Sequence, residues 1–186
     1  MDPSAISEDT LPAGAWATIS AIDSASLSNL PLEPYFQCDL PRLQRVTVPA
    51  FSFVITNRQG RSVLFDLGLR KDWPKLPPTA VAEIHNDQLV IHCEQDVLDI
   101  LEVHDFPIEN VEAIILRLFA PSFPHSPSHS LKTNTCFLSH HHFDHIGDPS
   151  RFPPLIALVV GPGVCEALMP GYPDQESSEI LTSDYS

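Results

Sequence analysis

The 186-residue chain carries 24 acidic against 10 basic side chains, a formal net charge of −14. Such a chain repels phosphate backbones and anionic lipid surfaces, so neither nucleic acid nor a membrane is an expected partner. Hydrophobic residues make up 43% of it, enough for a core in one domain, while 19 prolines favour loops and interrupted elements over long helices.

No apolar run is long enough to span a bilayer, and the start MDPSAISEDT lacks a basic-then-apolar signal pattern. A cytoplasmic location is therefore expected. Cys38, Cys93, Cys136 and Cys165 are far apart and form no C-x-x-C pair, so they read as free and mostly buried thiols.

In chain order, residues 1–13 read as a flexible start, and 14–186 as one domain. Residues 15–23 (AWATISAID) read as a first strand. Residues 45–57 alternate as a second strand, with Val46 and Val48 followed by Phe51, Phe53 and Ile55. The change of phase at Pro49-Ala50 suggests a bulge or an edge position. Residues 57–61 (NRQGR) form a turn, and 62–68 (SVLFDLG) a strand that makes a hairpin with the second. The proline-rich stretch 71–78 reads as a rigid loop.

Asp96 caps a helix over 96–104, with Val97, Ile100 and Leu101 as its apolar stripe. The nearly continuous apolar runs 111–116 and 155–161 read as strands covered on both faces. Residues 163–169 read as a short helix. Hairpins early and helix–strand alternation later point to an α/β fold.

The densest chemistry is in SHHHFDHIGD, residues 139–148. His140, His142, Asp144 and His145 fit the spacing H-x-H-x-D-H. Residues i and i+2 share one side of an extended segment, so His140 and His142 can converge on one metal. Asp144 and His145 lie beyond the turn and can face a second. Two cations roughly 3.5–4 Å apart can hold a hydroxide between them, a nucleophile available at neutral pH. That chemistry suits hydrolysis of an ester, thioester, lactone or lactam. His141 occupies a variable position and is not counted as a ligand.

Together, VLFDLG, AIIL and SHHHFDHIGD resemble the metallo-β-lactamase superfamily, from about Ala15 onward. The wording around the motif is similar to fungal lactonase-like and lactamase-like members. The resemblance implies an αββα sandwich and a site for two zinc ions. It implies His140 and His142 as ligands of the first zinc and His145 as a ligand of the second. Asp144 would be a ligand or a catalytic proton shuttle, and Asp66 of FDLG a supporting carboxylate that orients the site. A small molecule, a lactam or lactone of a xenobiotic or secondary metabolite, is the implied substrate. A nuclease of the same superfamily is disfavoured by the charge.

Two departures qualify the resemblance. Residues 117–138 separate AIIL from the histidines, either as a substrate-covering loop or as translated intron sequence. No histidine follows His145, so the later ligands of the family pattern have no counterpart, and Asp148, Asp174 and Asp184 sit in no matching motif. The expected fold is thus the N-terminal part of the sandwich, with one apolar sheet face uncovered. A truncated, catalytically inactive remnant of such an enzyme is the alternative reading.

Overall fold

A computed structural model describes residues 16–32, 44–116 and 143–185. The six strands are β1 (Ala17–Pro31), β2 (Arg45–Asn57), β3 (Ser62–Phe65), β4 (Val90–His92), β5 (Val111–Ile115) and β6 (Ala157–Val159). They form one mixed sheet in the order β4-β1-β2-β3-β5-β6. The early strands pair antiparallel, whereas β3, β5 and β6 run parallel. Helices α1 (Pro78–Asn86), α2 (Val97–Val103) and α3 (Val164–Leu168) complete an α/β architecture. The described residues supply one of the two sheets an αββα sandwich requires. None of their helices is long and apolar enough to cross a membrane.

The β2–β3 hairpin forms as its turn residues dictate. The Asn57 side chain accepts from the backbone N–H groups of Gln59 and Arg61, and Gly60 takes the left-handed conformation between them. The first strand is longer than its sequence suggested. A bulge between Asp23 and Ala25 shifts its parity, so buried Ile22 is followed by buried Ala25 and Leu27 within a polar-looking run.

The expected phase change in β2 is corrected by the same register. Val46, Val48, Ala50, Ser52 and Val54 all point to one face without interruption, and Phe51, Phe53 and Ile55 point to the other. The strand is apolar on both sides, with a fully buried Ser52 on the helix side. That mixture looked like a slip in the pattern.

Helix α1 and strand β4 carried too little periodicity to be read beforehand. Pro78 opens α1, and only Ala80 and Ile84 are buried along it. The rigid loop before it contains a helical turn at Trp73–Lys75. Asp96 caps α2 as expected, in a reciprocal capping box with Asp99. Of the cysteines, Cys93 and Cys165 are free but not both buried as expected: Cys165 is exposed, and Cys93 is half-buried, which pushes its thiol up to about 11. Cys38 and Cys136, like residues 1–13 and 117–138, lie outside the described residues.

The helices pack on one side of the sheet. Ile22, Val54, Leu64 and Ile114 meet α2 and α3 residues in one apolar cluster, and Ala25, Leu27, Ala50 and Leu69 meet α1 in a second. The opposite face carries Ile19, Phe51, Phe53, Phe65, Ile115 and Val159. It is open enough that Ile19 is 65%, Phe51 45% and Val159 44% exposed.

Two loops meet at the carboxyl ends of the parallel strands, where open α/β sheets present their ligand crevices. One is 66–70, leaving β3, and the other is 143–148. The Leu67 N–H donates to the His145 carbonyl at 3.2 Å, and the Gly147 N–H to the Gly68 carbonyl at 2.9 Å. Gly147 has a φ of +55°, and a Cβ there would lie 2.5 Å from both the Cβ and the carbonyl oxygen of Leu67.

Beside this junction the buried guanidinium of Arg70 meets three carboxylates. Its Nε reaches Asp72 at 2.7 Å, and its terminal nitrogens reach Asp148 at 2.8 Å and Asp184 at 3.3 Å. Burial, with the neighbouring Asp148 charge, pushes the Asp184 carboxyl up to about 6 despite hydrogen bonds from the Leu181 N–H and Arg70.

The Gly147→Ala variant should lose on the order of 2 kcal/mol or more, since it combines a strained φ with a backbone collision. Urea unfolding followed by tryptophan fluorescence measures this, and an unchanged midpoint would mean that the two loops are not held this close. Asp184 gives a pH signature. An unfolded aspartate titrates near 3.9 and the folded one at about 6, so the folded state holds this proton more tightly. Its contribution to stability is full below the unfolded value and is lost as pH rises through 6. Wild-type stability should therefore fall between pH 5 and 7 more steeply than that of Asp184→Asn. Parallel slopes would contradict the burial of this carboxyl.

Candidate metal centre

The sequence Phe143-Asp144-His145-Ile146 folds as a turn whose outer residues are anchors. Phe143 is buried in the cluster around α1, and Ile146 in the cluster around α2 and α3. With both apolar ends held in different parts of the core, the two polar residues between them are half-buried. Their side chains are 22% and 24% exposed. Asp144 Oδ2 lies 3.6 Å from His145 Nε2.

Asp66 meets this turn from the other loop. It follows β3 with a φ of +67°, and its N–H donates to the Ile115 carbonyl at 2.9 Å, which continues the β3–β5 pairing by one residue. Aspartate tolerates the left-handed region better than most residues, at about 1–2 kcal/mol, and the bend swings its carboxylate over the strand ends. One oxygen accepts the Gly68 N–H at 3.2 Å, and the other lies 2.7 Å from His145 Nδ1. An ionised carboxylate only accepts, so Nδ1 carries the proton, and in the neutral ring the lone pair is on Nε2.

That arrangement fits a divalent first-row cation. Imidazole nitrogen and carboxylate oxygen are suitable donors, and the partner on Nδ1 sets the tautomer a ligating histidine needs. Ligand atoms about 2.0–2.2 Å from one tetrahedral ion stand roughly 3.3–3.6 Å from each other, so the Asp144–His145 separation is compatible with a shared ion. Among the described residues no group of three or more such side chains forms a complete set. His140 and His142 lie outside the described residues.

The structure thus brings together Asp66, Asp144 and His145 of the residues singled out in the sequence. Arg70, Gly147, Asp148 and Asp184 were not anticipated as part of the surroundings. Asp148 stood in the motif without an assigned partner, and a buried arginine 78 residues earlier and the nearby Ser150 hydroxyl both pair with it.

No family model matches the chain. It is 37% identical over 177 residues to the Penicillium brevicompactum protein described as Cytochrome P450 monooxygenase mpaDE', an alignment covering 93% of this chain and 18% of that one. It is 30% identical to the Gamma-lactamase FDB1 of Fusarium pseudograminearum over 86% of this chain and 35% of the relative. It is also 30% identical to the Metallo-hydrolase mfmC of Annulohypoxylon moriforme, over 89% of this chain and 39% of the relative. The chain therefore spans well under half the length of each of these relatives. Alignments over most of its length to a lactamase and a metallo-hydrolase agree with the H-x-H-x-D-H spacing, and the chain belongs to the metallo-β-lactamase superfamily.

Proposed function

We propose that this chain carries the first metal-binding motif of a metal-dependent hydrolase that opens a cyclic amide or ester of a small molecule. The observation that supports this most is the 2.7 Å contact between His145 Nδ1 and Asp66. A carboxylate buried to 4% exposure and spent on a histidine at the strand ends is what a metal-ligating imidazole requires behind it. The names of the lactamase and metallo-hydrolase relatives support the same reaction class.

In this reading His140 and His142 hold a first zinc, and Asp144 and His145 a second. Zinc supplies Lewis acidity toward a carbonyl and a water nucleophile at neutral pH. The chain's own residues orient and move protons. Asp66 fixes the His145 ring, and Gly147 keeps the turn against Leu67. Asp144 takes the proton of the attacking water and returns it to the ring nitrogen or oxygen that leaves the acyl carbon. Water adds across one C–N or C–O bond, with no redox partner. The excess of acidic residues disfavours a polyanionic substrate such as nucleic acid.

Asp66→Asn retains the shape of the side chain and removes its charge. It should weaken zinc binding by about 10–100-fold while leaving the circular dichroism spectrum unchanged. A zinc competition titration against a chromogenic chelator measures this, beside turnover of lactam and lactone panels. Equal zinc affinities for the variant and the wild type would remove the supporting role of Asp66. Failure of the wild type to bind zinc would remove the metal reading itself.

A further inference from the structure

The contacts between the two loops run in order along both segments. Asp66 meets His145, the Gly68 carbonyl meets the Gly147 N–H, and Arg70 meets Asp148. The central tie is at a glycine with positive φ, which has no side chain to anchor the turn. Beyond His145 and Ile146, the next side chain able to fix the direction of the 143–148 segment is therefore that of Asp148.

Arg70 is built as a fixed post for it. Its side chain is 5% exposed, and its Nε is held by Asp72, a residue of its own loop. One terminal nitrogen is held by Asp184 from the distant 182–184 turn. The remaining terminal nitrogen grips Asp148 at 2.8 Å, with Asp148 only 9% exposed. The Ser150 hydroxyl donates to the other Asp148 oxygen at 2.5 Å, so the carboxylate is oriented from both sides. A planar guanidinium meeting three carboxylates in fixed directions does what a lysine ammonium cannot.

We propose that Arg70 is a positioning residue for His145: by holding Asp148 it fixes the 143–148 turn so that the His145 ring stays seated on Asp66. It acts through Asp148 and does not itself touch the imidazole. The two clamps work as a pair, one at each end of the loop contact. Releasing Asp148 lets the segment pivot at Gly147, and His145 then samples orientations in which either ring nitrogen carries the proton. This deepens the metal reading above, and its first readout needs no metal.

The test compares Asp148→Ala with Asp72→Ala in the full chain labelled with 15N-histidine. Asp72 touches Arg70 but not the 143–148 segment, and without it Asp184 still holds the guanidinium and Asp148 is still gripped, so its variant reports a general weakening of the buried cluster. Long-range proton–nitrogen spectra of metal-free protein at pH 8 report the His145 tautomer. Wild type and Asp72→Ala should show one tautomer with Nδ1 protonated, and Asp148→Ala should show averaged nitrogen shifts. Zinc affinity should fall by about tenfold in Asp148→Ala and by much less in Asp72→Ala.

A single wild-type tautomer in folded Asp148→Ala overturns the proposal, as does equal averaging in both variants. Should Asp148→Ala fail to fold, Asp148→Asn carries the same test, since it keeps the side chain's size and removes the charge that Arg70 grips. If wild type binds no zinc yet the tautomers behave as stated, the metal reading fails and the positioning role stands.

Discussion

The contact between Asp66 and His145 is the constraint on which the rest of the site depends. It joins residues 79 apart in sequence through one short hydrogen bond, and it stands only if two loops are held nearly in van der Waals contact. Each loop contributes something unusual for this. The 66–70 loop accepts a left-handed aspartate at its first position. The 143–148 loop places a glycine where any Cβ would overlap Leu67. The parallel pairing of β3 with β5 then delivers Asp66 to the strand ends, and buried Phe143 and Ile146 deliver Asp144 and His145 to the same place.

How much of this was legible in the sequence depended on whether the signal was local. The hairpin, the Asp96 cap and the apolar run of β5 are local, and each was readable from spacing and turn chemistry. The motif from His140 to His145 was readable because few other patterns need imidazoles and a carboxylate so close together. Asp66 stood out through its strand-end position and the family resemblance. What escaped was either weakly periodic or long-range. Helix α1 buries only two residues, too few for a stripe. The second half of β1 is hidden by a bulge that changes which residues face inward. The apparent slip in β2 came from taking one apolar face as the rule, where both faces are apolar. The Arg70 cluster gathers acids from three places in the chain, and no spacing encodes that.

Charge is distributed to the same end. The chain is strongly acidic overall, and several of its few cations are spent on internal pairs. Arg70 is buried among three carboxylates, while Arg151 and Lys71 both serve Asp99 beside the α2 cap. Replacing the Arg70 cluster by apolar residues would be compatible with a stable fold, because buried ion pairs seldom stabilise more than good packing does. Its value lies in direction: a fork of donors ties three segments at fixed angles next to the site.

X-ray absorption at the zinc edge of the loaded chain tests the central claim most directly, because it reads the ion's own neighbours. The expected result is imidazole scattering, with nitrogen at about 2.0–2.1 Å, that diminishes in His145→Ala. A shell of oxygen alone, or a spectrum identical in wild type and His145→Ala, would show that the Asp66-seated imidazole is not a metal ligand.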